Sequence, residues 1–294
     1  MLFRSPASRG DRLIRRVVRW PQLHVRWILP LVAVVGGFVL WRESRALHWR
    51  EIAPGLEFAV LRGEPYCRGG SAGIAMLRLD PEQVRLRVHH FTTQGSSRPF
   101  DIVEWQRRTH ALAVFNGGQF YPDYRYMGLL ASGGRWISRR AHPDFQALLV
   151  ADRRDAGGGG AHVLDLAATR VPPDSLRWNE IAQSFMLFDS SATVRVKRSE
   201  RIAKRTVVAE DRHHRIVVLV SEGAYTLTDF AWILLHSPLQ ITHAMSMDGG
   251  HEALLTVDCG NFRYASFGPW PGEHEDPAGD AGTLLPAVIT VERP

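Results

Sequence analysis

The segment that most constrains the fold is "RTVVAEDRHHRIVVLVSEG", residues 205–223. Two runs rich in Val and Ile flank a short polar stretch, and β-branched residues favour strands. Two such runs joined by so few residues predict an antiparallel hairpin. We therefore expect a fold that contains a sheet with hairpin connections.

Shorter strand patterns recur from about residue 49 onward. "VRLRVHHFT" alternates apolar and polar residues from Val84, which is typical of a half-buried strand. "FDIVEWQRRTHA" and "TLTDFAWILLHSPL" instead predict helices, capped by Asp101 and by Thr226 or Thr228. Because strands outnumber helices, the predicted class is α+β, with a mixed, largely antiparallel sheet and packed helices.

Three further segments give local predictions. "GLLASGGRWIS" predicts a hairpin whose turn holds Gly133 and Gly134. "RWNEIAQSFMLF" predicts a short helix leading into a strand. "ITHAMSMDGG" and "EALLTVDCG" predict two strands that form a hairpin around the glycines between them.

The N-terminal region differs from the rest of the chain. Seven arginines and one acidic residue precede position 27, and the apolar run "WILPLVAVVGGFVLW" follows from Trp27 to Trp41. The positive-inside rule then predicts a basic cytoplasmic tail at 1–26 and a transmembrane or signal-anchor helix at 27–47. The globular domain would occupy 48–294, outside the inner membrane, in the periplasm or beyond. A cleaved signal peptide, which would give a secreted protein, and a buried core helix are the alternatives.

The formal net charge is +6, which by itself is compatible with nucleic-acid binding. Much of this excess lies in the N-terminal tail, and an exterior domain argues against nucleic acid as a partner. The oligomeric state is left open.

Cys67 and Cys259 are the two cysteines, and their separation matches no metal-binding pattern. A disulfide between them and two buried thiols both remain open. The histidines are scattered along the sequence, with His213 and His214 in a polar hairpin tip, and no set has metal-binding spacing, so we expect no metal. No cofactor is expected.

Three polar segments end or interrupt apolar runs and could carry chemistry. The first is "AVFNGGQFYPDY", with Asn116, Gly117 and Gly118. Glycines allow a ligand to approach the backbone closely, and Phe120 or Tyr121 could stack on a sugar ring. Taken alone, Asn-Gly is more often a plain turn.

The second segment is "KRTVVAED", where Arg205 and Thr206 open a strand. A guanidinium can bind a phosphate or carboxylate through two hydrogen bonds. The alternative is a solvated basic edge, which the neighbouring arginines make credible.

The third segment is "MDGGHEAL", where Asp248 follows an apolar strand and precedes Gly249 and Gly250. Glu252 lies four residues further on, and His251 titrates near neutral pH. Across a tight turn the two carboxylates could approach each other. The alternative is an Asp-Gly turn with exposed ends.

The order of these three segments resembles the phosphodiester glycosidase family over about residues 111–257. "NGGQF" resembles the family's N-G-G-F-F motif, with Gln119 in place of an aromatic residue. Arg205-Thr206 matches the family's R-T motif. "DGGHEA" resembles a bacterial, exopolysaccharide-associated branch in which proline stands at the position of His251.

The resemblance implies a hydrolase that cleaves a sugar-1-phosphodiester between the anomeric carbon and the phosphate oxygen, with a carbohydrate or sugar-phosphate substrate. It supports Asn116, Arg205 and Asp248 as site residues. We infer that Asp248 stabilises the oxocarbenium-like state or orients water, with Glu252 as the second carboxylate and Asn116 on the sugar hydroxyls.

Arg205, with the N–H groups of Gly117 and Gly118, would hold the phosphate. Further substrate contacts are predicted at Thr206, Gly249, Gly250, His251 and Tyr121. An envelope or extracellular glycan is the expected substrate. The rival interpretation is a non-catalytic envelope protein that binds anionic polysaccharide for assembly or export.

Overall fold

The computed structural model describes residues 47–155, 159–169, 177–267 and 282–294, and residues 47–294 form one compact unit. The predicted tail at 1–26 and the predicted anchor at 27–47, apart from Leu47, lie outside the described residues. Among the residues that are described, none of the helices has the length and apolar character needed to cross a membrane.

The described residues contain sixteen strands, numbered here in chain order: β1 Arg50–Ala53, β2 Leu56–Arg62, β3 Gly73–Leu79, β4 Arg85–His90, β5 Ala113–Asn116, β6 Leu130–Ser132, β7 Arg135–Ser138, β8 Ala147–Arg153, β9 Ala161–Asp165, β10 Trp178–Phe188, β11 Thr206–Asp211, β12 Ile216–Ser221, β13 Ile241–Ser246, β14 Leu255–Asp258, β15 Arg263–Ser266 and β16 Ala287–Glu292.

Two α-helices interrupt these strands within the described part of the chain: α1 Ile102–Thr109 and α2 Leu227–Leu235. The Asp101 side chain accepts a hydrogen bond from the N–H of Glu104, and the Thr226 side chain accepts one from Asp229. These bonds satisfy N–H groups that have no partner inside the helix. Both predicted helices are confirmed, with Thr226 rather than Thr228 as the cap.

The strands form an eleven-stranded and a five-stranded sheet. The large sheet runs β1-β2-β3-β12-β11-β13-β10-β6-β7, with β8 on β10 and β9 on β8. The small sheet runs β15-β14-β5-β16-β4. Every strand pair between the described strands is antiparallel, and the two helices have only eight and nine residues. The fold is therefore predominantly β. The predicted largely antiparallel pairing is confirmed, whereas the α+β class is corrected because the helices are few and short.

The two sheets pack face to face, and the main core lies between them. Alternate residues of β11 show the arrangement, because Val208 joins this core while Val207 and Ala209 pack on the opposite face with α2. A sheet buried on both faces requires continuous apolar strands, which explains the Val-rich runs of the hairpin. The pairing of β11 with β12 confirms that hairpin.

Helix α1 covers the outer face of the small sheet. Trp105 is fully buried and packs with Val114 of β5 and Val288 of β16. The indole N–H of Trp105 also donates to the carbonyl of Leu285 at 2.9 Å. The molecule is therefore layered as helix, small sheet, large sheet and helix, with one helix on each outer face.

The predicted hairpin at Gly133–Gly134 is confirmed by the pairing of β6 with β7, and both glycines have positive φ. Two other local predictions are wrong. Residues 178–188 form the single strand β10, because β8 and β13 pair with it along its length. The segments around "DGG" do not form a hairpin, since β13 lies in the large sheet and β14 lies in the small one.

Cys67 and Cys259 are free, partly buried thiols. The thiol of Cys67 donates to the carbonyl of Gly69 at 3.2 Å, and that of Cys259 lies 3.8 Å from the carbonyl of Leu112.

Candidate active site

The three polar segments meet where the two sheets approach each other, at a place that we call the sheet junction, formed by residues 116–118, 204–206 and 247–250. Antiparallel pairing of Val207 with Ser246 puts the segment after β13 beside the start of β11. The N–H of Met247 donates to the carbonyl of Thr206, and that of Gly250 donates to Lys204, both at 2.9 Å. Strand register alone thus unites segments some forty residues apart.

Asn116 ties the small sheet to this junction. Its amide nitrogen donates to the carbonyls of Asp248 at 3.0 Å and Gly117 at 3.1 Å. Its amide oxygen accepts from the Thr206 hydroxyl at 2.7 Å and from the N–H of Leu254 at 3.3 Å. An Asn side chain offers two donors and two acceptor positions, so its hydrogen-bonding capacity is filled within the protein. This geometry favours a positioning role for Asn116, and likewise for Thr206, over the sugar contacts expected from sequence.

Gly117 and Gly118 are buried against protein groups. A Cβ at Gly117 would lie 2.9 Å from the carbonyl oxygen of Ala287, and one at Gly118 would lie within 3.1 Å of the carbonyl of Gln183. Their N–H groups donate to Ala287 at 3.0 Å and to the Tyr126 hydroxyl at 3.2 Å. From the sequence, these N–H groups were expected to bind phosphate. That assignment is corrected, because both are already used inside the protein.

Gly249 and Gly250 shape the loop that carries Asp248. A Cβ at Gly249 would lie 2.8 Å from the Lys204 carbonyl and 3.4 Å from Nη1 of Arg205. Gly250 has φ of 77°, a left-handed conformation that side chains disfavour. Both glycines therefore allow the aspartate loop, residues 247–250, to pack closely against the start of β11. They lie next to the expected substrate position.

Arg205 is a buried cation, with 8% of its surface exposed. Its Nε donates to the carbonyl of Tyr225 at 2.9 Å and its Nη2 donates to that of Arg201 at 2.7 Å. Burial, together with repulsion from Arg201, lowers the pKa of Arg205 to about 10, so it stays charged at neutral pH. Among the described residues no carboxylate forms a salt bridge with it. A buried charge without a counter-ion is unfavourable, and an anionic ligand would relieve that cost.

Asp248 is the carboxylate with the most altered proton affinity at the junction. Burial, followed by repulsion from Glu252, raises the pKa of Asp248 from 3.8 to about 7, although the N–H of Gly249 and the charge of Arg201 oppose the rise. Glu252 lies in a short 3₁₀ turn, Gly250–Glu252, and is partly exposed. A carboxylate that titrates near neutrality and faces a second carboxylate is suited to acid–base chemistry.

Comparison with known proteins assigns the chain to a family. A family model described as phosphodiester glycosidase matches residues 109–281, which is more than half of the chain and includes the whole junction. The chain belongs to the phosphodiester glycosidase family. A search of curated proteins finds no match.

Two solved structures show the same fold as this phosphodiester glycosidase family member. One is the zebrafish N-acetylglucosamine-1-phosphodiester alpha-N-acetylglucosaminidase catalytic domain auto-inhibited by its pro-peptide, with 14% identity and a TM-score of 0.58 over 85% of this chain and 88% of that one. The other is a hypothetical protein from Synechocystis, with 13% identity and a TM-score of 0.56 over 84% of this chain and 63% of that one.

The chain departs from the family's motifs at two positions, and these two residues have different structural environments. Gln119 stands in place of an aromatic residue, and its amide donates to the carbonyl of Met247 at 3.1 Å and accepts from the Ser184 hydroxyl at 2.9 Å. Gln119 therefore joins the first segment to the aspartate loop and to β10. His251 lies in the 3₁₀ turn between Asp248 and Glu252 and is partly exposed.

A cleft of about 440 Å³ opens next to the junction. Tyr121 lines it, as does Tyr126, whose hydroxyl also accepts the N–H of Gly118 and thus connects cleft and junction. Arg125 and Arg140 add positive charge to its walls. Asn116, Arg205 and Asp248 are not part of the lining, so the cleft is an adjoining space rather than the reacting centre itself.

His90, which was not predicted from the sequence as a site residue, lines this cleft and is 4% exposed. Its Nδ1 accepts from the N–H of Thr92, while its buried Nε2 has no hydrogen-bond partner within normal distance in the described part of the chain. Burial lowers the pKa of His90 to about 4, against a raising effect of the Tyr124 carbonyl, so the ring is neutral at pH 7. A signal existed, because the alternation that begins at Val84 puts position 90 on the apolar face of β4.

Proposed function

We propose that this chain hydrolyses a sugar-1-phosphodiester at the sheet junction, acting on an envelope or extracellular glycan. The proposal depends on one observation, which is that Asp248, a carboxylate with a pKa of about 7, lies close to the buried guanidinium of Arg205. Gly249 follows Asp248 directly, and a Cβ at Gly249 would lie 3.4 Å from Nη1 of Arg205. Family membership supports the reaction class. The zebrafish enzyme's name specifies an N-acetylglucosamine-1-phosphodiester, which suggests the class of bond to test first.

The phosphate half of the substrate is assigned to Arg205. A departing phosphate monoester is already acidic, so it needs a cation more than it needs a proton donor. Arg205 remains charged in a buried setting, where an ionic hydrogen bond to phosphate is stronger than in water.

The sugar half is assigned to Asp248. Cleavage at the anomeric carbon develops positive charge on the ring, which a carboxylate stabilises. In its ionised form Asp248 stabilises that charge or activates the attacking water. Glu252 keeps the proton affinity of Asp248 high through its own charge. This assignment predicts that kcat/KM rises with pH through about 7, the value expected for Asp248 in the free enzyme.

We further propose that residues 27–47 anchor the protein in the inner membrane, with the body outside. The proposal is based on the apolar run between two tryptophans, which follows an arginine-rich tail. Protease added to intact spheroplasts should degrade the body, whereas a body that stays protected would contradict this placement.

Replacing Asp248 tests the reaction directly. With a nitrophenyl-phosphoryl sugar as substrate, Asp248→Asn should lower kcat at least a hundredfold, because the isosteric amide cannot carry the negative charge. Asp144→Asn, at an exposed position, is the matched control and should retain normal turnover. Near-normal turnover by Asp248→Asn would remove Asp248 from the chemistry. Saturable binding of anionic glycans by the wild-type protein without turnover would favour the non-catalytic alternative.

A further inference from the structure

A second cluster of titratable side chains lies away from the sheet junction. His162 on β9, Glu210 on β11 and His214 in the turn between β11 and β12 bring one ligand atom each to within 4.8 Å of one another. Glu210 lies four residues along β11 from Thr206, which corresponds to roughly 13 Å of extended strand. The cluster is therefore separate from the proposed reacting centre.

The two histidines converge on a single carboxylate oxygen. Nδ1 of His162 lies 3.1 Å from Oε1 of Glu210, and Nδ1 of His214 lies 2.7 Å from the same atom. Glu210 is buried, with 3% of its surface exposed, whereas His214 is exposed. Two imidazole nitrogens and a carboxylate oxygen are a donor set that Zn²⁺ and its neighbours in the periodic table bind.

The second oxygen of Glu210 is held by other groups. Oε2 accepts the N–H of Val163 at 3.0 Å and lies 3.5 Å from Nε2 of His243. These contacts orient the carboxylate so that Oε1 points at the two histidines. Burial raises the pKa of Glu210, but hydrogen bonds from the three histidines and Val163 outweigh burial and hold the pKa well below its usual range. Supporting contacts of this kind fix ligand orientation in known metal sites.

The turn that carries His214 is also fixed. The N–H groups of His213 and Arg215 donate to Oδ1 of the buried Asp211 at 2.8 and 3.0 Å. His214 itself has φ of 60°, a left-handed conformation that is uncommon for residues other than glycine but that His, like Asn and Asp, adopts more often than most. The fixed turn places Nδ1 of His214 2.7 Å from Oε1 of Glu210, while most of the imidazole surface stays exposed to solvent.

From this geometry we infer that His162, Glu210 and His214 form a binding site for one divalent transition-metal ion of the zinc class, with water completing the coordination. The ligand atoms of a tetrahedral zinc site are about 3.4 Å apart, given zinc–ligand distances near 2.1 Å. The two histidine–carboxylate separations, 3.1 and 2.7 Å, are shorter than this, and no two ligand atoms are more than 4.8 Å apart. The exposed side chain of His214 can adjust its position. Each histidine binds the ion through Nδ1 in its neutral form and carries its one ring proton on Nε2.

The site would fasten the edge strand β9 to the β11–β12 hairpin. β9 pairs only with β8 among the described strands, and Glu210 and His214 belong to a different part of the large sheet. A metal held by both would stabilise the folded state by its binding free energy. Its role is structural, because the junction residues lie at the other end of β11.

Isothermal titration calorimetry with protein purified without a polyhistidine tag tests the inference. Zn²⁺ and Co²⁺ should each bind with one equivalent, and bound Co²⁺ should show visible absorption bands. Ca²⁺ and Mg²⁺ prefer oxygen ligands and should not bind at this site. Tm should rise on addition of Zn²⁺.

His214→Gln and His162→Gln should each weaken Zn²⁺ binding more than tenfold. The matched control is His213→Gln, which alters the adjacent histidine of the same turn, one that contacts Arg212 instead of Glu210. Circular dichroism before titration shows that each variant is folded, and His214→Gln, at an exposed position, keeps the test available if His162→Gln does not fold. Absence of a one-equivalent site in the wild type, or equal weakening by His213→Gln, would overturn the inference.

Discussion

At the scale of single residues, Asp248 links stability to pH. Its folded-state pKa of about 7 lies above the value near 3.9 expected for an unfolded carboxyl group. The folded protein therefore binds this proton more tightly than the unfolded chain does. The resulting stabilisation is complete below about pH 4 and is lost as the pH rises through 7.

Asp248→Asn should accordingly stabilise the protein at alkaline pH, because the amide cannot ionise. At pH 8 we expect its free energy of unfolding to exceed that of the wild type by roughly 1 to 4 kcal/mol, since each pKa unit corresponds to about 1.4 kcal/mol. At pH 4 the two proteins should differ little. Urea denaturation at both values checks this, with Asp144→Asn as the exposed control. A variant equally stable or less stable at pH 8 would show that Asp248 carries no ionisation cost.

Arg205 gives the second prediction at this scale. In Arg205→Lys the charge is kept, but the donors to the Tyr225 and Arg201 carbonyls are lost and the planar fork disappears. We expect KM for a sugar-1-phosphodiester to rise about 10- to 100-fold, in line with roughly 1.5 to 3 kcal/mol for a hydrogen bond to a charged group.

Steady-state kinetics measure this effect, and Arg212→Lys in the exposed hairpin turn is the control. An unchanged KM and kcat in Arg205→Lys would exclude Arg205 from substrate binding.

At the scale of elements, the junction depends on how helices and strands hold one another. β5 carries Asn116 and is covered on its outer side by α1 through Trp105. β11 and β13 carry the other two segments and are covered by α2. The order of strands in each sheet thus determines where the reacting groups lie.

Trp105→Ala should cost about 3 to 5 kcal/mol of stability, because it empties a fully buried site and breaks the hydrogen bond to Leu285. Val103→Ala lies on the same helix but changes a side chain that is 52% exposed, so it should stay within about 0.5 kcal/mol of the wild type. Urea unfolding of both variants measures the difference. Equal effects would mean that α1 is not fastened through Trp105.

At the scale of the whole molecule, the sequence predicted which segments form the candidate site. It predicted the contacts of the individual residues in those segments less well. The hairpin around residue 212 and both helices follow from local pattern and capping residues, and the structure confirms them. Convergence of Asn116, Arg205 and Asp248 was expected from the order of motifs shared with the phosphodiester glycosidase family. The structure brings them together through strand register and hydrogen bonds.

What escaped prediction depends on contacts between distant residues. The path from β13 to β14 crosses between sheets, although its glycines have the local pattern of a hairpin turn. Ala287 and Tyr126 leave no room for a side chain at Gly117 and Gly118, and a local motif does not indicate either contact. Likewise, His162 and Glu210 are 48 positions apart, so spacing along the chain did not indicate a shared site.

The central claim is that the junction breaks the bond between the anomeric carbon and the phosphate oxygen. Hydrolysis of a sugar-1-phosphodiester in ¹⁸O-labelled water, followed by mass spectrometry of both products, tests it most directly. Because water attacks the anomeric carbon, ¹⁸O should enter the sugar hydroxyl and should be absent from the phosphate monoester. Label in the phosphate would instead show attack at phosphorus and would rule out cleavage at the anomeric carbon.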